Sequence, residues 1–284
     1  MVRTVYVNGD FVSEFEARIS IFDRGFLFAD SVYEVITVLG GKLVDWFGHV
    51  ERLERSLNYL NIIMPYKAGE LLKINRELIK LNNFKDGLIY IQISRGLAER
   101  DFLIKDSSKA SLIIFHQEIN LLDPIRLNRC LRVITVPEVR WKHRDIKTTQ
   151  LLGASMAKTD ANTKGVDDAW FVENEFVTEG TSSNAFIVIE NKKIVTRKIG
   201  KEILAGVTRF SILETAEELG LEVEERQFSV KEAELASEAF ITSSTNFIAS
   251  VGEINGNIVG SGKVGTITKL LREQYLINIK RHSI

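Results

Sequence analysis

From Thr4 the chain alternates apolar and polar positions to Val7, pauses at Asn8-Gly9, and resumes with Phe11 and Val12. Asn-Gly tolerates positive φ at both centres of a two-residue turn, so this opening predicts a β-hairpin. The period then lengthens. Val50, Leu53, Leu57 and Leu60 recur at helical spacing, with Arg52 and Arg55 interleaved, which predicts an amphipathic helix over 49–61. A second helix is expected over 70–82 and strands over 88–94 and 110–117, so the first 118 or so residues read as an α+β unit. Asp123-Pro124 breaks regular structure inside 120–127, the expected linker. Beyond it the pattern predicts a strand over 131–136, a helix over 151–164 ended near Gly165, and strands over 169–172 and 185–189. Helices follow over 207–219 and 230–236. A short strand over 239–242 runs into the polar loop Ser243-Ser244-Thr245-Asn246, and a last helix begins near Thr266. No internal repeat or low-complexity tract occurs, which disfavours a solenoid or an interaction tail.

Composition narrows the field only by exclusion. The 284 residues, 45% hydrophobic and 26% charged, are those of an ordinary globular chain with one large domain or two smaller ones. Lys and Arg number 37 against 38 Asp and Glu, so nothing general favours nucleic acid or an anionic membrane, and neither is expected as a partner. Cys130 is the single cysteine; it excludes an intrachain disulfide and fits a reducing compartment. The four histidines are scattered, and no metal is expected. The chain starts without the basic and apolar stretches of a signal peptide and has no run of about 18 apolar residues, so a cytoplasmic location is the expectation.

Four places have residues suited to chemistry. Lys147, in Asp145-Ile146-Lys147-Thr148, would become a nucleophile if enclosure lowered its pKa; taken alone it reads as one solvated lysine among 37 basic side chains. Glu179 lies in the polar stretch Val177 to Asn184, where it either faces a ring nitrogen or belongs to a solvated turn. Gly206-Val207-Thr208 stands at a helix start, a natural anion site, although Thr208 also reads as a plain N-cap. The Ser243-Ser244-Thr245 loop offers hydroxyls and amides just past a strand. Arg52, on the helix face away from the leucines, would suit a phosphate, with surface exposure as its alternative.

Taken together, His49-Val50-Glu51-Arg52-Leu53, Asp145-Ile146-Lys147, Thr178-Glu179-Gly180 with Ser182-Ser183-Asn184, Gly206-Val207-Thr208-Arg209 and Thr242-Ser243-Ser244-Thr245 resemble the fold-type IV pyridoxal-phosphate enzymes. These include D-amino-acid aminotransferases, branched-chain aminotransferases and aminodeoxychorismate lyases. The likeness spans nearly the whole chain, in order, with 179 − 147 = 32 residues between the lysine and the glutamate. It implies a two-domain α/β (α+β) fold with a small N-terminal α/β domain over 1–119, a larger cofactor-binding domain over 128–284, a cleft between them for pyridoxal 5'-phosphate, and a homodimer. It makes Lys147 the Schiff-base lysine and proton shuttle, and Glu179 the partner of the pyridine nitrogen. Arg52, Val207, Thr208, Ser243 and Ser244 would hold the phosphate, and Arg140 would lie near the phenolic oxygen.

Within the family, Asp23-Arg24-Gly25 and Asp30-Ser31-Val32-Tyr33-Glu34-Val35 look most like the D-amino-acid aminotransferases. Tyr33 and Arg100 would then bind the substrate carboxylate. Bacillus-type members carry a histidine where this chain has Phe102 and a lysine where it has Thr37, so carboxylate recognition is altered here. The implied reaction is ping-pong transfer from a small D-amino acid, such as D-alanine or D-glutamate, to 2-oxoglutarate or pyruvate. Rival readings are an L-branched-chain aminotransferase, an aminodeoxychorismate lyase and a non-catalytic cofactor-binding protein. Retention of both Lys147 and Glu179 argues against the last, because simple binding needs no electron sink.

Overall fold

The computed structural model describes residues 2–104 and 109–284. The chain divides into two compact units. The first comprises the chain up to Asn120 with Ile146–Gln150 and His282–Ile284; the second comprises Leu121–Asp145 and Leu151–Arg281.

In the first unit, β1 (Thr4–Val7) and β2 (Asp10–Ser13) form the expected hairpin, with φ of 53° at Asn8 and 123° at Gly9. Then come α1 (Arg24–Phe28), β3 (Ser31–Leu39), β4 (Lys42–Leu43), α2 (Trp46–Tyr59), α3 (Ala68–Leu81), β5 (Gly87–Ser94) and β6 (Ser111–Glu118). The strands make one antiparallel sheet in the order β2-β1-β6-β5-β3-β4. The apolar face of α2, with Val50, Leu53 and Leu57 buried, lies against β3. That helix begins at Trp46, before the predicted start, because Trp46 is itself buried.

Strand β3 is longer than any other of its sheet, yet periodicity gave no strand there. Burial alternates along its middle, with Val32, Glu34 and Ile36 buried and Tyr33 and Val35 half-buried, but the inward face carries the charged Glu34 and the other face the apolar Tyr33 and Val35, so residue polarity does not follow burial and gives no alternation to read.

The Lys147 segment belongs with this first unit, not with the 128–284 domain that sequence assigned it to. Tyr33 N donates to Lys147 O at 3.0 Å, Thr149 N donates to Ser31 O at 3.1 Å, and Thr148 bridges Val32. Backbone pairing to the end of β3 thus captures five residues that are distant in sequence.

The second unit starts inside the expected linker, where Pro124–Leu127 forms the short helix α4, capped by Asp123 accepting from Ile125 N at 3.0 Å. Proline at the first helical turn costs no hydrogen bond, so it starts this helix rather than breaking structure. There follow β7 (Cys130–Pro137), α5 (Leu152–Thr163), β8 (Asp168–Glu173), β9 (Phe176–Gly180), β10 (Asn184–Val188), β11 (Ile194–Thr196), α6 (Val207–Glu218), β12 (Val223–Glu225), α7 (Val230–Glu234), β13 (Glu238–Ser243), β14 (Phe247–Ile254), β15 (Asn257–Ile258) and α8 (Thr266–His282). The sheet runs β12-β11-β10-β13-β14-β7-β8-β9, with β15 on β14. Its β11/β12, β14/β7 and β7/β8 pairs are parallel.

Trp170, Val177, Ile187, Phe228 and Ile241 anchor its core, each such burial contributing about 1.5–3 kcal/mol. Gly252 is required on β14, since a Cβ there would sit 2.8 Å from Gly262 O and 3.1 Å from Cys130 Cβ. Among the described residues no helix is long and apolar enough to cross a membrane.

Candidate active site

In the first unit, Tyr33 and Lys147 come together. The Lys147 amine stands 4.3 Å from the Tyr33 ring centroid, a cation–π distance. Tyr33 stacks on Tyr90 at 5.5 Å and Tyr90 on Phe115 at 4.8 Å, so β3, β5 and β6 present an aromatic row beside the amine. Burial raises the Tyr90 hydroxyl pKa well above its ordinary value.

Arg52 corrects the sequence reading of its helix: it is neither exposed nor on a solvent face. Arg52 Nε donates to Glu34 Oε1 at 2.7 Å and Nη2 to Glu34 Oε2 at 2.6 Å, while His49 Nδ1 donates to Oε2 at 2.7 Å. All three side chains are buried. Glu34, which points inward from β3, therefore turns Arg52 toward the interior and fixes its plane. Burial alone would raise the Glu34 carboxyl, but the Arg52 charge and the bonds from Arg52 and His49 outweigh it and hold the group at about 2. Burial lowers the His49 imidazole despite Glu34.

A pH effect follows. Since the unfolded carboxyl titrates near its ordinary 4.5, Glu34 contributes stability above that pH and loses it as pH falls toward 2. Thermal unfolding should therefore weaken through that window in the wild type and less steeply in Glu34→Gln. At neutral pH the variant should be less stable by about 3 kcal/mol, because Arg52 loses its ionic partner. Parallel acid limbs in the two proteins would refute this.

Arg100 is exposed and stands over two aromatic rings, 5.8 Å from Phe28 and 5.5 Å from Phe102. The loop is tied at Asp101, whose carbonyl accepts from Arg24 Nη1 at 2.7 Å, and Arg24 is paired with Asp30. Thr37 is buried on β3.

In the second unit, Glu179 sits on β9 and is buried. The solvated-turn alternative does not hold for Glu179: only residues 181–183 separate β9 from β10, and Thr178, Glu179, Thr181 and Asn184 bond to partners inside the protein. Glu179 Oε1 accepts from Arg140 Nη1 at 2.9 Å, and Oε2 accepts from Leu204 N at 2.9 Å and Asn184 Nδ2 at 3.2 Å. Burial raises its carboxyl pKa, and Arg140 with the Leu204 amide only partly offsets this. Arg140, expected near a phenolic oxygen, has its guanidinium bonded to Glu179 and Glu138.

Asn184 is the hub that sequence alone did not single out. It binds Glu179 and Leu204 O, pairs across the sheet with Thr242, and lies where a Cβ on Gly206 would come within 2.1 Å of its Oδ1. Helix α6 therefore starts against Asn184 because residue 206 is glycine. Val207 and Thr208 occupy its first turn, both buried, and no side chain caps it. Thr208 is thus inside the helix and not its N-cap. Ser243 and Ser244 follow Thr242 directly. Ser243 Oγ accepts from Asn246 N at 3.1 Å, and Arg126 Nη2 donates to Thr245 O at 2.7 Å, holding this loop from α4.

Residues 31–254 match the amino-transferase class IV family model. The chain is 36% identical over 283 residues to the D-alanine aminotransferase of Staphylococcus aureus (strain MSSA476), covering all of both. Among solved structures it is similar to the Escherichia coli branched-chain amino acid aminotransferase, with a TM-score of 0.91 at 21% identity over 98% of this chain and 95% of that one. It also resembles the PLP-form of the branched-chain aminotransferase from Thermobaculum terrenum, with a TM-score of 0.86 at 24% identity over 98% and 94%.

Proposed function

This chain belongs to the class IV amino-transferases, which use pyridoxal 5'-phosphate, and from that premise we propose that it moves the amino group of a small D-amino acid to a 2-oxo acid. D-alanine and D-glutamate are the expected donors, and 2-oxoglutarate and pyruvate the acceptors. Its substrates are small-molecule amino acids and 2-oxo acids. The full-length likeness to a D-alanine aminotransferase carries the choice of the D series.

The residues present fit the cofactor. The buried hydroxyls of Ser183 and Thr242 have no hydrogen-bond partner among the described residues, and both lie next to Asn184, where the uncapped start of α6 directs its amides. Val207, Thr208, Ser243 and Ser244 would hold the phosphate there, with Arg52 adding its charge. When bound, pyridoxal 5'-phosphate supplies an electron sink for the charge released at the substrate Cα. Lys147 Nζ would hold the cofactor covalently and, once the substrate amine has displaced it, would accept the proton from the substrate Cα and deliver it to a different carbon, so that the amino group leaves the donor. Glu179 would keep a proton on the ring nitrogen. Arg100 and Tyr33 would receive the substrate carboxylate, and the Phe28 and Phe102 rings beneath Arg100 orient its guanidinium.

A homodimer is part of this reading. It is supported by the large apolar side chains of Phe15, Ile21, Phe22, Phe26 and Phe102, all exposed in the first unit, since exposed apolar side chains are what a partner copy would cover.

Mixing the holoenzyme with single amino acids tests the function. D-alanine or D-glutamate should bleach the visible cofactor band, and L-alanine, L-glutamate and L-leucine should not. Bleaching by L-leucine would transfer the protein to the branched-chain group. No bleaching by any of them would leave a lyase or a non-catalytic binder.

A further inference from the structure

Glu179 does not stand alone. Its neighbour Arg140 is gripped by a second buried carboxylate, Glu138: Arg140 Nε donates to Glu138 Oε1 at 2.9 Å and Nη2 to Oε2 at 2.7 Å, while the third nitrogen, Nη1, reaches Glu179. The guanidinium lies 4.1 Å from the Phe171 ring centroid, and Glu138 also accepts from Thr178 Oγ1, one residue before Glu179, at 3.0 Å. The result is a fixed chain of minus, plus, minus in a buried site, where charges act with little screening.

We propose that Arg140, clamped by Glu138, is the positioning residue that keeps Glu179 in its carboxylate form, and that Glu138 limits this effect by sharing the same cation. The importance of this for catalysis rests on the reading that Glu179 faces the ring nitrogen. A carboxylate buried without compensation takes up a proton, and a protonated Glu179 would have no charge with which to hold a proton on that nitrogen. Removing Arg140 would therefore neutralise Glu179. Removing the Glu138 charge would have the opposite effect, since Arg140 would then serve one carboxylate instead of two.

The other charged groups near Glu179 are further removed. Arg144 approaches Glu138 at 3.4 Å and bonds Glu173 at 3.1 Å, Arg197 donates to the Val177 carbonyl on β9, and Asp168 on β8 is paired with Lys158 at 3.1 Å. From β10 the facing side chain is the neutral Asn184.

Infrared titration of the full-length protein, as holoenzyme and after cofactor removal, tests the proposal. The Glu179 carboxyl band is identified as the one missing from Glu179→Gln. Its midpoint should rise by about 1–3 units in Arg140→Met, stay near wild type in Arg140→Lys, and fall in Glu138→Gln. In the holoenzyme, Arg140→Met should lower kcat with little change in KM, and Arg140→Lys should restore it. An unmoved midpoint in both Arg140→Met and Glu138→Gln overturns the proposal. If Arg140→Met fails to fold, Glu138→Gln decides alone: a lowered midpoint supports the proposal, and an unchanged or raised one overturns it. Should wild-type holoenzyme transfer no amino group while the midpoints move as expected, the functional reading fails and the Arg140 assignment stands.

Discussion

Replacing Lys147 with alanine should abolish the visible absorption of the bound cofactor and lower transamination by at least about four orders of magnitude, because one amine supplies both the covalent hold and the proton transfer. The structure makes this a clean test. The carbonyl of Lys147 accepts from Tyr33 N at 3.0 Å, and the next turn of backbone is tied by Thr149 N to Ser31 O at 3.1 Å. Those bonds survive truncation of the side chain, whose amine is otherwise in contact with the Tyr33 ring. Thermal stability of the variant should thus stay within about 1 kcal/mol of wild type. An inactive variant that has also lost its thermal transition would point to misfolding, and one that keeps both band and activity would remove Lys147 from the chemistry.

The second large effect is expected at Glu179. Glutamine fills the same volume but carries no charge, so the ring nitrogen loses the group that holds its proton. Loss of such fixed electrostatic stabilisation costs on the order of 10²–10³ in kcat. KM for D-alanine should move little, since the interaction matters where charge develops and not where substrate is first bound. Steady-state kinetics of Glu179→Gln with D-alanine and 2-oxoglutarate measure this directly. A loss of less than a few-fold would mean that Glu179 is only a structural acceptor for Leu204 N and Asn184 Nδ2.

Local pattern was a good guide wherever an element has one wet face. The hairpin at Asn8-Gly9, α2, α3, α5 and α6 all lie within a few residues of their expected places; in α2 and α3 this is because apolar residues at period 3.6 report a boundary between core and water, and in the hairpin because Asn-Gly marks the turn. It failed where that boundary is absent or where residue polarity does not follow it. Strand β14 is buried almost throughout, β3 turns the charged Glu34 inward, and β9 carries buried Thr178 and Glu179 that bond Glu138 and Arg140, so its polarity imitates a loop.

The ordered motifs from His49 to Thr245 determined, without any coordinates, which residue types are available for the chemistry: an amine, a carboxylate, an arginine and a run of small hydroxyl residues at a helix start. A list of motifs carries no pairing, however, and pairing is what the tertiary structure decided. Sheet registration moved Lys147 to the end of β3, Glu34 drew Arg52 inward, and Arg140 was divided between Glu138 and Glu179. The Lys147–Tyr33, Arg52–Glu34 and Arg140–Glu179 pairings join residues 18 to more than 100 positions apart, while Glu138 stands two residues before Arg140. A buried charge is stable only beside a compensating one, and the distant partners that Lys147, Arg52 and Arg140 meet depend on how strands far apart in the chain pack together, which local pattern does not record.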